Sequence, residues 1–297
     1  MLSRAMKRSL SIVGAGRVGR TLGRRLHRLG WLIGAVVTRS AAASRIAVRE
    51  IGAGKPYSRL LPDILDSNVI LLTTPDGALA GVAGALAKFD ERKLRGKIVL
   101  HTSGALDRTV LAPLARRGVS TGSLHPMQTF SGRGAPQLKG IIFAVEGDRS
   151  AAIVARRIAR SLGGVPVTIS SRNKPAYHAA GALVAGHGLG LIEASTQVLL
   201  KAGFSRRDAM RALLPLMRQM LDNFERLGPQ HSWTGPASRG DFKTVEKHTE
   251  ALRNYPREFE GAYAALALLA GRVLSRNPAA ASKQLKRALG KPRGGKS

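Results

Sequence analysis

The chain has 297 residues, a mass of 31.5 kDa and 44% hydrophobic residues, enough for a sizeable core and for more than one domain, which excludes disorder throughout. Its 48 Lys and Arg, of which 34 are Arg, exceed 18 Asp and Glu for a net charge of +30, a surplus that suits nucleic acid, an anionic membrane or an anionic small ligand, or else is an arginine background, as its scatter over the predicted helices suggests. Cysteine is absent, which excludes disulfides, thiolate metal sites and a cysteine nucleophile and is compatible with a reducing interior.

The N-terminal stretch carries Arg4, Lys7 and Arg8 but no apolar run of signal-peptide length, so a cytoplasmic location is expected. The apolar run 10–13 predicts a first strand, followed at once by Gly14-Ala15-Gly16-Arg17-Val18-Gly19 and a helix over 18–29. In a G-x-G-x-x-G turn the first glycine permits the tight bend and the second lets a pyrophosphate approach the backbone. The third lets the helix pack on the sheet, and the helix N-terminus offers free N–H groups to phosphate. The packing role alone would also account for three glycines. A second strand over 32–37 ends in Thr38-Arg39-Ser40 where an NAD-binding chain would place a carboxylate. A guanidinium and two hydroxyls suit a 2′-phosphate instead, so NADP is preferred over NAD, unless Arg39 is one more surface arginine.

Strands are predicted over 69–73, 97–101, 119–123, 141–145 and 165–169, most of them almost wholly apolar, as a sheet covered on both faces requires. Helices are predicted over 78–87, 109–117 and 151–162. Three successive strands end in polar segments: Thr73-Thr74-Pro75-Asp76, His101-Thr102-Ser103-Gly104 and Ser123-Leu124-His125-Pro126-Met127-Gln128. One such segment would be a turn; three after a dinucleotide-type turn argue for a cofactor and substrate crevice at the carboxyl edge of the sheet.

Beyond residue 169 only helices are predicted, over 176–202, 206–227, 241–254 and 257–274, with Ser205 and Asp208 forming a cap for the second. Lys174 and His178 share a helix face, with Tyr177 beside them. Either Lys174 or His178 can exchange the proton that hydride transfer to a carbonyl or imine requires, although a lone Lys174 would read as a solvated helix end. Arg239, in the loop 234–241, suits a substrate carboxylate, and the same loop can serve as a simple Asp-capped helix entry. The run 175–192 is uncharged but holds two His and four Gly, which reads as a soluble helix and not a membrane span. Its small residues permit close helix approach within the chain or in a homodimer. His187 reads as a packing residue. His27, His231 and His248 lack metal-ligand spacing, so no metal is expected. Residues 276–297 carry seven basic and no acidic side chains and read as a flexible basic tail.

Together, residues 14–19, 73–76, 101–106, 122–130, 143–148, Lys174 with Tyr177 and His178, and 234–241 resemble a bacterial family of Rossmann-like proteins with a C-terminal helical domain of unknown function. That family is similar in architecture to 6-phosphogluconate, β-hydroxyacid and prephenate dehydrogenases, ketopantoate and pyrroline-carboxylate reductases, and deazaflavin-dependent NADP reductases. The resemblance implies an NADP-binding domain and an all-α domain that completes the substrate site and usually a dimer. It also matches Lys174 to a catalytic lysine, with His178 where several relatives have Asn.

The expected fold is therefore α/β: a Rossmann-type, doubly wound, mainly parallel sheet over 8–170, an all-α domain over 171–275 and the tail. The expected function is an NADP-dependent oxidoreductase acting on a small carboxylate-bearing carbonyl, hydroxy or imine compound. Lys174, His178, Ser103 and His125 are the catalytic candidates. Gly14, Ala15, Gly16, Arg17, Val18, Gly19, Thr38, Arg39, Ser40, Thr74, Pro75 and Thr102 would hold NADP(H), and His125, Gln128 and Arg239 the substrate. The alternatives are a non-catalytic NADP sensor or scaffold and, disfavoured by the lack of a reading helix or aromatic platform, a nucleic-acid-associated protein.

Overall fold

The computed structural model describes residues 8–132, 134 and 136–290. The chain divides between Gly186 and His187 into two compact units.

The first unit is an eight-stranded sheet flanked by helices. In chain order it runs β1 (Ser9–Val13), α1 (Arg17–Arg28), β2 (Leu32–Val37), α2 (Ala41–Ile51), β3 (Lys55–Tyr57), β4 (Val69–Leu72), α3 (Asp76–Leu86), α4 (Glu91–Leu94), β5 (Ile98–His101), α5 (Ala112–Ala115), β6 (Ser120–Pro126), β7 (Ile142–Gly147), α6 (Arg149–Ser161), β8 (Val165–Thr168) and α7 (Lys174–Ala182). The sheet order is β3-β2-β1-β4-β5-β6-β7-β8. All pairings are parallel except β6 with β7.

Both faces of the central strands are covered, which is why β4 and β5 read as apolar runs, whereas the edge strands β3 and β8 are largely exposed. On one face Leu10, Ile12, Leu71 and Leu124 pack with Leu22 and Leu26 of α1, Ile51 of α2 and Ile158 of α6. On the other, Val13, Ile70 and Val99 pack with Leu79, Ala83 and Leu86 of α3 and Leu114 of α5. The expected doubly wound sheet is thus present, and its reversal between β1 and β4 opens the crevice at the carboxyl edge.

The second unit contains α8 (Gly188–Lys201), α9 (Arg206–Ser232), α10 (Phe242–Leu252), α11 (Arg257–Val273) and α12 (Pro278–Leu289). Ser205 caps α9 by accepting from the Asp208 N–H, and Asp241 caps α10 by accepting from the Thr244 N–H. Val245, Leu285 and Leu289 form a core with Tyr263 and Leu268 around them.

Four expectations need correction. Residues 278–289 are helical, because Leu285, Ala288 and Leu289 supply an apolar face that the basic count concealed; residues 291–297 of the expected tail lie outside the described residues. The single helix over 176–202 is interrupted by a π-helical segment, Leu183–His187, in a glycine-rich stretch where helix propensity is weak. The helix over 109–117 is a 3-10 turn, Arg108–Leu111, followed by the single turn of α5. Finally, α2 and β3 went unpredicted: the apolar positions of Ala41–Ile51 are mostly alanines, and β3 has three residues and a Pro.

Candidate active site

The glycine turn after β1 is built for close approach. Gly14 has φ +83°, and a Cβ there would lie 2.7 Å from the Thr74 backbone nitrogen. At Gly19 a Cβ would collide with Thr73 Oγ1, whereas one at Gly16 would meet only the Gly14 carbonyl, at 3.7 Å. The three glycines therefore do different work, and the space beside Gly16 is open. No side chain caps the N-terminus of α1, so its first-turn N–H groups and the positive end of the helix dipole face that space. At the end of β2, Thr38 Oγ1 donates to the Ser40 carbonyl and Ser40 Oγ accepts from the Ala43 N–H, making Ser40 the cap of α2, while Arg39 is exposed beside it. These residues fit a phosphorylated dinucleotide, with a pyrophosphate cradle at Gly16 and a guanidinium next to a helix N-terminus.

The register of β5, β6 and β7 sets His101 opposite Ser123 and Ser123 opposite Glu146. Lys174, the first residue of α7, is fully buried over this row. Its Nζ donates to the Ser103 carbonyl at 3.0 Å and to Ser123 Oγ at 2.8 Å. Ser123 Oγ donates in turn to Glu146 Oε2 at 3.4 Å, and Glu146 also accepts from the Arg108 N–H and Ser171 Oγ. Burial lowers the Lys174 pKa to about 8, against the opposing pull of Glu146, Asp107 and Asp76. The solvated-end alternative for Lys174 is therefore wrong: the side chain points into the sheet edge, paired through hydroxyl and carbonyl groups as a buried ammonium must be.

His125, two residues beyond Ser123 on the same face of β6, has Nδ1 2.9 Å from the Tyr177 hydroxyl and its ring edge-on to His178 at 5.8 Å. Burial, reinforced by Lys174 and His178, lowers the His125 pKa to about 4, so this imidazole is neutral at physiological pH. Burial pushes the Tyr177 phenol up to about 12. Gly104 passes beneath both imidazoles: a Cβ there would stand 2.5 Å from His178 Cδ2 and 2.8 Å from His125 Nε2. His125, His178, Met127, Gln128, Thr129 and Gly181 line one end of a cavity of about 520 Å³, a volume suited to a small molecule.

The structure thus brings Ser103, His125, Lys174 and His178 together. Ser103 has a different part from the one its hydroxyl suggested. Its Oγ donates to Asp76 Oδ2 at 2.8 Å and accepts from the Ala105 and Leu106 N–H groups, so it fixes the loop and offers its carbonyl to Lys174. Thr74, Pro75 and Thr102 stand at the ends of β4 and β5, with Thr102 Oγ1 3.5 Å from the Leu72 carbonyl. Gln128 borders the cavity but spends its amide on the Gln137 carbonyl and the Thr129 N–H. Arg239 belongs to the second unit, where it is exposed at the end of a short 3-10 turn. No cluster of three or more potential metal ligands occurs among the described residues.

The sequence placed His101 and Ser123 in the polar strand-end segments, and Glu146 in the segment 143–148, but gave none of the three a role. His101 is buried, with Nδ1 accepting from the Ser103 N–H and Nε2 3.2 Å from the Asp107 carbonyl, and its pKa is lowered to about 4, chiefly by burial. The available signal was polarity inside otherwise apolar strands, at His101, Ser123 and Glu146.

Residues 3–126 match the Rossmann-like domain family and residues 141–270 match a domain family of unknown function, DUF2520. A search of curated proteins gives no match. Solved structures of similar fold include a candidate NADP oxidoreductase from Bacteroides fragilis, at 23% identity over 87% of this chain and 95% of that one, with a TM-score of 0.71. An imine reductase from a Pseudomonas species shows 20% identity over 93% and 99% of the two chains, with a TM-score of 0.63. A reductive aminase from Aspergillus terreus, solved with NADPH and ethyl-5-oxohexanoate, shows 17% identity over 95% and 93%, with a TM-score of 0.61. At these identities the likeness is one of fold. The chain thus matches a Rossmann-like domain in its first part and, after it, the DUF2520 domain.

Proposed function

We propose that this protein is an NADP-dependent oxidoreductase that transfers hydride between NADP(H) and a small carboxylate-bearing carbonyl, hydroxy or imine compound. The observation that carries the reading is the buried Lys174 ammonium, held by Ser103 and Ser123 on the strand rim that also bears the uncapped glycine turn. The named activities of the fold relatives support it, since an imine reductase and an NADPH-bound reductive aminase share this architecture.

Gly14, Gly16 and the α1 N-terminus would hold the pyrophosphate, with Arg39 and the Ser40-capped end of α2 at the 2′-phosphate. The bound cofactor supplies the hydride. Reduction of a C=O or C=N bond adds that hydride to carbon and needs one proton on the heteroatom. Lys174, with a pKa of about 8, is mostly protonated at neutral pH yet releases its proton more readily than a solvated lysine, as a general acid should. His178, edge-on to His125 at the cavity, is the alternative donor of that one proton. His125, held neutral, orients the substrate through hydrogen bonding.

The test is NADPH oxidation against a panel of cyclic imines, keto acids and keto acid plus amine mixtures. Lys174→Ala is expected to abolish turnover with NADPH affinity retained; turnover that survives the substitution refutes its role. Hydride transfer to no member of the panel, with NADPH still bound selectively, would favour a non-catalytic sensor.

The same reading includes a homodimer. The stretch Ser171–Lys201 is long and apolar enough to cross a membrane by length and composition, yet only 6% of its most apolar window is buried. Leu183 and Val184 are 61% and 80% exposed, and a second copy is the cover we assign to them. Light scattering should give a dimer mass; a monomer that sediments with lipid vesicles would contradict this.

A further inference from the structure

A second cavity, of about 340 Å³, lies along the outer face of α1 and shares only Arg17 with the residues expected to hold NADP(H). Its walls are Arg17, Arg20, Arg24, Arg25 and Arg28, with Glu50 and the glycines 132 and 134 of the loop between β6 and β7. The steps of three or four residues put Arg17, Arg20, Arg24 and Arg28 on one stripe, with Arg25 beside it, opposite the buried Gly19, Leu22 and Leu26. At 1.5 Å rise per residue the stripe from Arg17 to Arg28 is about 16 Å long.

Its charge is largely uncompensated. Arg20 pairs with Glu50 at 2.6 Å, whereas Arg17, Arg24, Arg25 and Arg28 have no carboxylate within 4.0 Å among the described residues. The first turn of α1 contains no acidic residue, so Arg17 and Arg20 stand at the end of the helix that repels cations. Like charges one turn apart also destabilise a helix. Arg25 and Arg28 lie in the last turn, where the helix dipole favours cations, so the opposition falls at Arg17, Arg20 and Arg24, and an anion in the groove would relieve it.

The groove differs from the arginines scattered elsewhere because it has a second wall. Gly132 has φ +86°, and a Cβ there would stand 2.9 Å from Arg17 Nε, so the loop closes directly against the arginine stem. A concave site lined by one sign of charge focuses its field on a ligand. Guanidinium forks present paired N–H donors that match phosphate oxygens. The small volume suits a compact, highly charged ligand better than a nucleic-acid backbone, which needs an open track.

We propose that the α1 groove is a binding site for a short polyphosphate chain, free or carried on a nucleoside, separate from the dinucleotide cradle. Calorimetric titration with tripolyphosphate at physiological ionic strength, about 0.15 M, tests it. One saturable site is expected, unaffected by NADPH. Arg24→Glu with Arg28→Glu removes two charge-assisted contacts and should weaken it at least about tenfold, and should leave NADPH binding unchanged.

The same charge change on α6, Arg157→Glu with Arg160→Glu, should leave tripolyphosphate binding intact. A parallel titration with ATP separates the two sources: equal affinity assigns the site to the phosphates alone, and tighter ATP binding assigns it to a nucleotide. The proposal is overturned by absence of binding, by equal weakening in the α6 variant, by displacement with NADPH, or by an oligonucleotide that binds here and is not displaced by tripolyphosphate. Because NADPH is titrated separately, failure here is distinguishable from failure of the oxidoreductase reading.

Discussion

Burial of Lys174 makes the stability of the protein depend on pH in a direction that can be worked out in advance. Its pKa is about 8 in the folded protein against 10.5 for an unperturbed lysine. Between those values the unfolded chain binds more protons than the native one at this site, so its contribution to stability rises with pH. Below about 8 both states are charged and the penalty of burying the ammonium is fully present. Above about 10.5 it is gone. Integrating from about pH 7.5 to about pH 10 gives a relative gain of about 2 kcal/mol. Lys174→Met removes this titration but leaves the other lysines, so the observable is the difference in unfolding free energy between wild type and variant at the two pH values. Chemical denaturation followed by circular dichroism measures it. The wild type should gain about 2 kcal/mol on the variant between the two pH values. A difference that does not change with pH would mean that Lys174 titrates as a solvated lysine, and the buried-acid account would fail.

Glu146→Gln removes the leading influence that raises the Lys174 pKa, so the lower edge of the same window should move to lower pH while its upper edge stays at the unfolded value; an unmoved lower edge would separate Glu146 from the lysine. Gly104→Ala places a methyl group against both imidazoles and should impair substrate turnover while leaving NADPH binding intact, and wild-type turnover would show that the His125–His178 spacing is not required. In the second unit, Leu285→Ala opens the fully buried core between α10 and α12 and should cost about 2–5 kcal/mol, read as loss of protease resistance in residues 187–290. If resistance there is unchanged, α12 is not part of that core.

How much of this was legible depended on whether a feature is local. The strands that carry the site were readable because a sheet covered on both faces writes itself as apolar runs, and the first turn because three glycines followed β1 directly. Lys174 and His178 were legible as neighbours on one helix. What β6 and β7 do together was not: Ser123 meets Glu146 only because those two strands pair antiparallel in one register, and no local spacing encodes that. The partition of the chain was likewise hidden. Composition changes after Ile169, but Lys174 and Tyr177 tie the first turn of α7 to β6 and the Ser103 loop, so the compact unit extends to Gly186. The helix over 278–289 escaped because its residues were read as part of a longer tail with seven basic and no acidic side chains, although Leu285 and Leu289 lie one turn apart.

The most direct test of the central claim is a titration of the purified protein with NADPH and with NADH, following nicotinamide fluorescence at low and high salt, in the wild type and in Arg39→Asp. The account predicts saturable binding that prefers NADPH, persists in added salt, and in Arg39→Asp weakens far more for NADPH than for NADH. No binding of either nucleotide would contradict it and leave the glycine turn a packing device; equal losses for both nucleotides would remove Arg39 from the 2′-phosphate site.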